Sequence, residues 1–191
     1  MAAWMDCLAA LKQHGLLLKS DSKLPSVTTI IARAPVRGSW WAHPQAQEIF
    51  RALKKLARHR DVLLVKLIAG KDTLVDRRLW PEILAIATAG EPWQWKGVSA
   101  AARAVYQKVS RAGEIESSGS PTLELETRLL ARGEQFHTGE GSHARRLETW
   151  EHWADRVGLQ TGVVSAADAK RTIEAVFPGA KLAWASRSTR R

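Results

Sequence analysis

A short apolar segment near the middle of the chain constrains the fold more than any other feature. Residues 61–69, Asp-Val-Leu-Leu-Val-Lys-Leu-Ile-Ala, are mostly aliphatic and β-branched, as is typical of a buried strand. A Gly-Lys-Asp turn follows at 70–72, and residues 73–77 return as a second run, so the segment predicts a β-hairpin. Most other apolar residues recur at helical spacing. The sequence therefore predicts an α+β fold that is mostly helical.

Apolar residues at intervals of three and four positions predict the helices. They cover residues 2–18, 45–59, 80–89, 99–112, 120–131, 148–157 and 165–176. Residues 24–31 predict either a capped short helix or a strand, and the segment 34–44, with its prolines and glycine, predicts a structured loop. A short strand at 114–117 and a second hairpin at 134–147 complete the prediction.

The order of elements in the second half predicts a winged helix. A helix, a short strand, a helix and a basic hairpin follow one another there, which is the outline of such a module. The predicted fold is thus a winged-helix-type arrangement with two β-hairpins. We expect an N-terminal domain over 1–90, with a helix, a hairpin and a basic helix. A winged-helix-like domain follows over 91–160, and a C-terminal helix with a basic tail over 161–191.

The charge and cysteine content restrict the class of protein. Lysine and arginine outnumber acidic residues by 29 to 19, a net charge of +10, which favours polyanionic partners but also serves solubility. The single cysteine excludes an intrachain disulfide and a cysteine-based zinc finger and favours a reducing compartment. No apolar run approaches the ~20 residues of a spanning helix, and the start is unlike a signal peptide. We expect a cytoplasmic, nucleoid-associated protein with DNA as partner, no membrane, no metal and no cofactor.

Basic and aromatic residues predict where DNA would bind. Residues 51, 54, 55 and 58 are cations at i, i+3, i+4 and i+7, so they share a helix face, with no acid between Glu48 and Asp61. The alternative is a solvated outer face. Tryptophans in loops, beside basic residues, suit base stacking, whereas Trp80, Trp150 and Trp153 are predicted core residues. The predicted nucleic-acid-binding residues are Trp40, Trp41, Arg51, Lys54, Lys55, Arg58, Arg77, Arg78, Trp93, Trp95, Lys96, His143, Arg145 and Arg146.

Catalysis is a second hypothesis. Lys66 lies among aliphatic residues, where an amine that loses hydration can become a nucleophile, as Schiff-base chemistry at an abasic-site sugar requires. His43 or His137 would then transfer the proton. The alternative is a lysine on an edge strand with its head group in water. No helical histidine pair with metal-ligand spacing is present in the sequence.

Several motifs resemble the pattern of a family of small bacterial proteins of no settled activity. They are Gly38-Ser-Trp-Trp-Ala-His-Pro44, Glu48-Ile-Phe50, Lys66-Leu, Gly70-Lys, Arg78-Leu-Trp-Pro81 and His137-Thr-Gly-Glu-Gly-Ser-His143, within residues 24–153. The resemblance transfers no catalytic residue. It draws attention to Trp40, Trp41, His43, Lys66, Arg77, Arg78, His137 and His143. The second half is also distantly similar, in element order, to winged-helix modules of DNA-binding and base-excision proteins.

Three functional hypotheses follow. The leading one is a protein that holds the DNA backbone with basic residues and engages damaged, gapped, single-stranded or distorted regions with loop tryptophans, in DNA repair or maintenance. The second is an abasic-site lyase or glycosylase that uses the amine of Lys66. The third is a winged-helix transcription regulator, which predicts a dimer that binds two half-sites. RNA stays open as an alternative to DNA.

Overall fold

Two antiparallel sheets of three strands each organise the fold. The computed structural model describes residues 2–137 and 143–185. The protein is a mixed α/β structure, about half of it helical. Within the described ranges, no helix is both long enough and apolar enough to cross a membrane.

The first sheet and three helices form what we call the first unit, residues 3–76. Its elements in chain order are α1 (Ala3–His14), β1 (Leu16–Leu18), α2 (Val27–Ala32), α3 (Ala46–Ala57), β2 (Val62–Ile68) and β3 (Lys71–Asp76). The strands lie in the order β1-β3-β2, and both neighbouring pairs are antiparallel. Two further helices follow, α4 (Trp80–Ala87) and α5 (Pro92–Trp95).

The second unit, residues 100–148, repeats much of this order. It consists of α6 (Ala100–Ala112), β4 (Glu114–Ser117), α7 (Ser120–Thr127), β5 (Arg132–His137) and β6 (His143–Glu148). Its strands lie in the order β4-β6-β5, which is the same arrangement as in the first sheet. Between β4 and β5 there is one helix, where the first unit has two between β1 and β2. The chain continues with α8 (Trp150–Val157) and α9 (Ala166–Val176).

Both predicted hairpins are confirmed, and one predicted helix is wrong over its last turn. The helix predicted for 2–18 ends at His14, because Gly15 adopts a φ of 79° that a helix cannot continue. Leu16–Leu18 then pair with β3 as an edge strand. Residues 27–32 form the capped helix, since the Ser26 hydroxyl accepts from the Thr29 N–H. The other predicted helices are present with ends shifted by a few residues, and α5 was not predicted.

The first sheet is covered on both faces. One core cluster, which includes Cys7, Leu11 and Ile49, lies between the sheet and α1–α3. A second cluster lies on the opposite face, against α4, α8 and α9, and it includes the predicted core residues Trp80, Trp150 and Trp153. A third and smaller cluster fills the second unit. The second cluster draws residues from Leu16 to Leu182, so packing joins the first sheet to the C-terminal helices.

Candidate nucleic-acid interface

Helix α3 divides into an apolar face and a basic face. Ile49, Ala52 and Leu56 are buried in the first unit. The basic face, as we call it, consists of the exposed residues Arg51, Lys54, Lys55 and Arg58. The helical period places these two sets on opposite sides. The four predicted cations therefore share one exposed surface, and the burial of the opposite face of α3 fixes its position.

The cations of the basic face are largely free of acidic partners. Arg51, Lys54 and Arg58 have no hydrogen bond, ion pair or ring contact to another side chain within the described residues. Lys55 places its ammonium 5.4 Å from the ring centroid of Trp4, which is a cation–π distance. Like charges one turn apart repel each other weakly, so an anion on this face would relieve the repulsion.

The two other predicted basic residues of the first half are arranged differently. Arg77 lies 3.6 Å from the carboxylate of Asp61 and stacks over Trp80 with a separation of 5.3 Å. Arg78 lies 2.8 Å from Asp76, which is itself buried. Both arginines lie in the turn between β3 and α4, and each has an acidic partner there.

The loop before α3 presents an aromatic surface. Trp40 and Trp41 form a 3-10 turn and stack on each other, with ring centroids 4.0 Å apart and planes 25° from parallel. Trp40 is 9% exposed and belongs to the core, whereas Trp41 is 58% exposed. Phe50 of α3, 37% exposed, lies 5.5 Å from Trp41. We call Trp41 and Phe50 the aromatic patch.

The tryptophans predicted beside Lys96 are packed in the structure. Trp93 packs against the second core cluster and donates its indole N–H to Glu91 at 2.5 Å. Trp95 packs edge-on against Tyr106, with centroids 4.8 Å apart. Lys96 is exposed. Of the four loop tryptophans that the sequence singles out, Trp41 is the one that offers most of its ring to solvent.

The predicted basic hairpin of the second unit is formed by β5 and β6. Its tip, 138–142, lies outside the described residues, as do the side chains of His137 and His143, although their backbones pair across the hairpin. Arg145 makes two hydrogen bonds to the buried carboxylate of Glu126, at 2.5 and 2.7 Å. Arg146 lies 3.3 Å from Glu114. Both arginines therefore have acidic neighbours.

Lys66 is held by an acid. Its ammonium lies 2.6 Å from Asp72, and its side chain is 11% exposed. Burial opposes ionisation of Asp72, but the hydrogen bond and charge of Lys66 outweigh it and lower the pKa of that carboxyl. The nitrogen that a nucleophile would use is thus engaged in a hydrogen bond to Asp72. His43 accepts a hydrogen bond from the Gln45 N–H at 3.2 Å, and no described contact joins it to Lys66.

A charged cluster continues from Lys66 into the second unit. Glu126 is 5% exposed, and burial raises the pKa of its carboxyl although Arg145 and Lys66 act in the opposite direction. Strand β5 passes this carboxylate at Gly133, where a Cβ atom would lie 1.8 Å from Oε1. The cluster therefore adds electrostatic interactions between the first hairpin, α7 and β6 to the apolar packing of Leu129 against β2.

One group of possible metal ligands is present in the described residues. A ligand atom from each of Glu114, Glu148 and His152 lies within 4.8 Å of the others. Glu148, 1% exposed, is already bound by Arg132 and Arg156, and Glu114 has Arg146 beside it. The arginines thus place positive charge beside both carboxylates, through Oε1 of Glu148, whereas the buried Oε2 of Glu148 makes no hydrogen bond within the described residues.

Three exposed residues of α3 and the segment before it were not predicted as binding residues. Phe50 precedes Lys54 by four positions and so borders the basic face. Arg33 and Arg37 lie exposed in the loop that connects α2 to α3. The sequence signal that could have identified Arg33 and Arg37 is the absence of any acidic residue between Asp21 and Glu48.

No protein-family model, curated protein or solved structure matches the chain. The resemblance to a family of small bacterial proteins stays a prediction. A functional proposal rests on the side chains described above.

Proposed function

We propose that the protein binds DNA and that α3 lies against the phosphate backbone. The observation that carries the proposal is the basic face, whose arginines and lysines are exposed and, but for the contact of Lys55 with Trp4, unpartnered within the described chain. Neutralising phosphates with such residues releases condensed counterions, which drives binding whatever the base sequence. The net charge of +10 adds attraction at longer range.

The topology of the first unit supports this role for α3. The succession α1-β1-α2-α3-β2-β3, with strands in the order β1-β3-β2, resembles the element order of a winged helix. In helix-turn-helix modules the second helix of the pair enters the major groove, and α3 follows α2 in that order, across the longer segment 33–45. The second half, where the sequence predicted the winged helix, has the predicted order of helix, strand, helix and hairpin, but its second helix, α7, contains no lysine or arginine. We therefore assign the DNA-contacting helix to the first unit.

The first hairpin does not serve as the wing in this proposal. Its turn is covered by the C-terminal segment, since the Ala69 N–H donates to the Lys181 carbonyl at 2.7 Å and Ile68 pairs with Leu182. Helix α7 packs against β2 and so covers a further part of the first hairpin. DNA would accordingly meet α3 and the loop before it.

A matched pair of double variants tests the proposal. Lys54→Ala/Arg58→Ala removes two exposed cations from α3, and Lys108→Ala/Arg111→Ala removes two exposed cations from α6. Fluorescence anisotropy with a labelled DNA duplex and an RNA of the same sequence measures affinity. We expect the α3 variant to lose about tenfold or more in DNA affinity at low salt, because two phosphate contacts are lost, while the α6 variant retains it. Equal loss in both variants, or tighter binding of the RNA, contradicts the proposal.

A further inference from the structure

We infer that Trp41 stacks on an unpaired nucleobase, so that the preferred ligand is DNA with an exposed base: a single strand, a gap or a flipped-out nucleotide. This inference rests on the proposed function, because α3 supplies the phosphate contacts. It adds the substrate class, which the basic face alone does not determine, since phosphates are common to every DNA structure.

The geometry of the tryptophan pair favours stacking. Trp40 is buried, and its ring lies against one face of Trp41 at a centroid distance of 4.0 Å. Trp41 nevertheless remains 58% exposed, so much of its surface stays open to a ligand although Trp40 covers one side of its ring. An indole held by a buried neighbour is ordered before the ligand arrives, which lowers the entropy lost on binding. A base placed on the outer face would extend the stack by one ring.

The surroundings of Trp41 match a nucleotide rather than an apolar partner. Phe50 lies 5.5 Å from Trp41 and is followed in α3 by the exposed cation Arg51, with Lys54 one turn further. Aromatic rings beside cations bind a base and its phosphate together, as in proteins that bind single strands. An apolar protein segment would leave these cations without partners at its edge.

Accessibility of the base then determines which DNA binds. In an intact duplex each base face is covered by its neighbours, and unstacking a pair costs free energy. A gap, a single strand or a damaged site offers the face without that cost. Stacking on an aromatic ring is also tolerant of base identity. The expected preference is therefore for a DNA structure and not for a sequence, which suits repair or maintenance of DNA.

The test compares three variants on three ligands. The ligands are an intact duplex, the same duplex with a one-nucleotide gap, and the corresponding single strand. Trp41→Ala removes the ring, Trp41→Phe keeps an aromatic face, and Leu123→Ala truncates an exposed apolar residue of α7 as a control. We expect the wild type to bind the gapped and single-stranded DNA more tightly than the duplex. Trp41→Ala loses about tenfold on those two ligands, and Trp41→Phe recovers most of the loss.

Each outcome separates the inference from the proposed function. Salt-dependent binding of all ligands with equal affinity, unaffected by Trp41→Ala, overturns the inference and leaves DNA binding by α3 intact. If none of the three ligands binds in a salt-dependent way, the inference and the proposed function are both wrong. If Trp41→Ala instead converts a dimer to a monomer in sedimentation and leaves gapped-DNA affinity unchanged, the aromatic patch is a self-association surface and the inference is wrong.

Discussion

Lys66 donates a hydrogen bond to Asp72 across the first hairpin, with 2.6 Å between Nζ and Oδ1. The pair stands where the first unit meets the second, since the charges of Arg145 and Glu126 act on the same cluster. A lysine among aliphatic residues is thereby explained as one half of a partly buried ion pair. The ion pair gives Lys66 a structural role, and catalysis by its amine stays a prediction.

The first prediction concerns this ion pair. Lys66→Ala leaves Asp72 without its main partner, so we expect the free energy of unfolding to fall by about 1–3 kcal/mol. Urea denaturation measures it. Lys19→Ala is the matched control, because Lys19 lies 3.6 Å from the same carboxylate but is 40% exposed, and its loss should cost less than about 1 kcal/mol.

A separate experiment tests the lyase hypothesis, in which the Lys66 amine forms a Schiff base with an abasic-site sugar. Borohydride treatment of the protein with an abasic-site duplex would then give a covalent adduct that disappears in Lys66→Ala. We expect no such adduct, because the Lys66 nitrogen lies 2.6 Å from Asp72 and its side chain is only 11% exposed, which leaves little room for a sugar to approach.

The second prediction concerns Asp21. Burial opposes its ionisation, but the hydrogen bonds from the Lys71 side chain and from the backbone N–H groups of Lys23 and Leu24 lower its pKa from 3.8 to about 2. Since the folded pKa is the lower one, the stabilisation is complete well above pH 3.8 and is lost as the pH falls toward 2. The free energy of unfolding of the wild type should exceed that of Asp21→Asn by about 1 kcal/mol at pH 7, and this difference should become smaller in acid. A difference that is the same in acid and at neutral pH would refute the prediction.

The third prediction concerns Gly133. An added Cβ atom would lie 1.8 Å from Glu126 Oε1 and 2.5 Å from Cδ, and the carboxylate is held in place by Arg145. Gly133→Ala should therefore lower stability by about 1–3 kcal/mol, as overpacking does. The control is the same substitution in a Glu126→Ala background, where the obstructing atoms are absent. Equal costs in the two backgrounds would show that the close approach is not the cause.

Much of the secondary structure was predictable because local signals agree with the tertiary fold. The helices predicted for 99–112 and 120–131 have clear end signals, since Gly113 ends α6 with a φ of 76° and Pro121 lies in the first turn of α7. Strand β1 was not predictable from periodicity. Leu16–Leu18 are all buried, so they lack the alternation that distinguishes a half-exposed strand, and their pairing with β3 is a contact distant in sequence.

The sequence predicts which cations the candidate interface exposes, but not which tryptophan lies exposed beside them. Helical spacing suffices to place Arg51 and Lys54 on one exposed face. The sequence does not distinguish Trp41 from Trp93 or Trp95, because all three stand near proline, glycine or basic residues. Their difference comes from packing. Trp93 and Trp95 meet cores formed by residues distant in sequence, whereas Trp41 rests on Trp40.

The fourth prediction concerns Cys7. Burial, with the nearby charges of Asp6 and Glu48, raises the pKa of its thiol to about 12. The thiolate is the reactive form, so folded protein should resist alkylation by iodoacetamide at pH 8 and react only after denaturation. Mass spectrometry of the labelled protein measures this. Rapid labelling of the folded chain would mean that α1 opens from the core.

The salt dependence of DNA binding measures how many phosphates α3 contacts. We expect the logarithm of the association constant to fall linearly with the logarithm of salt concentration. Lys54→Ala/Arg58→Ala should lower the slope by about 1.5, since each phosphate contact contributes about 0.7–0.9. The α6 variant Lys108→Ala/Arg111→Ala should keep the slope of the wild type. A slope that is unchanged by the α3 substitutions, or binding that does not depend on salt, would contradict the claim that α3 holds the DNA backbone.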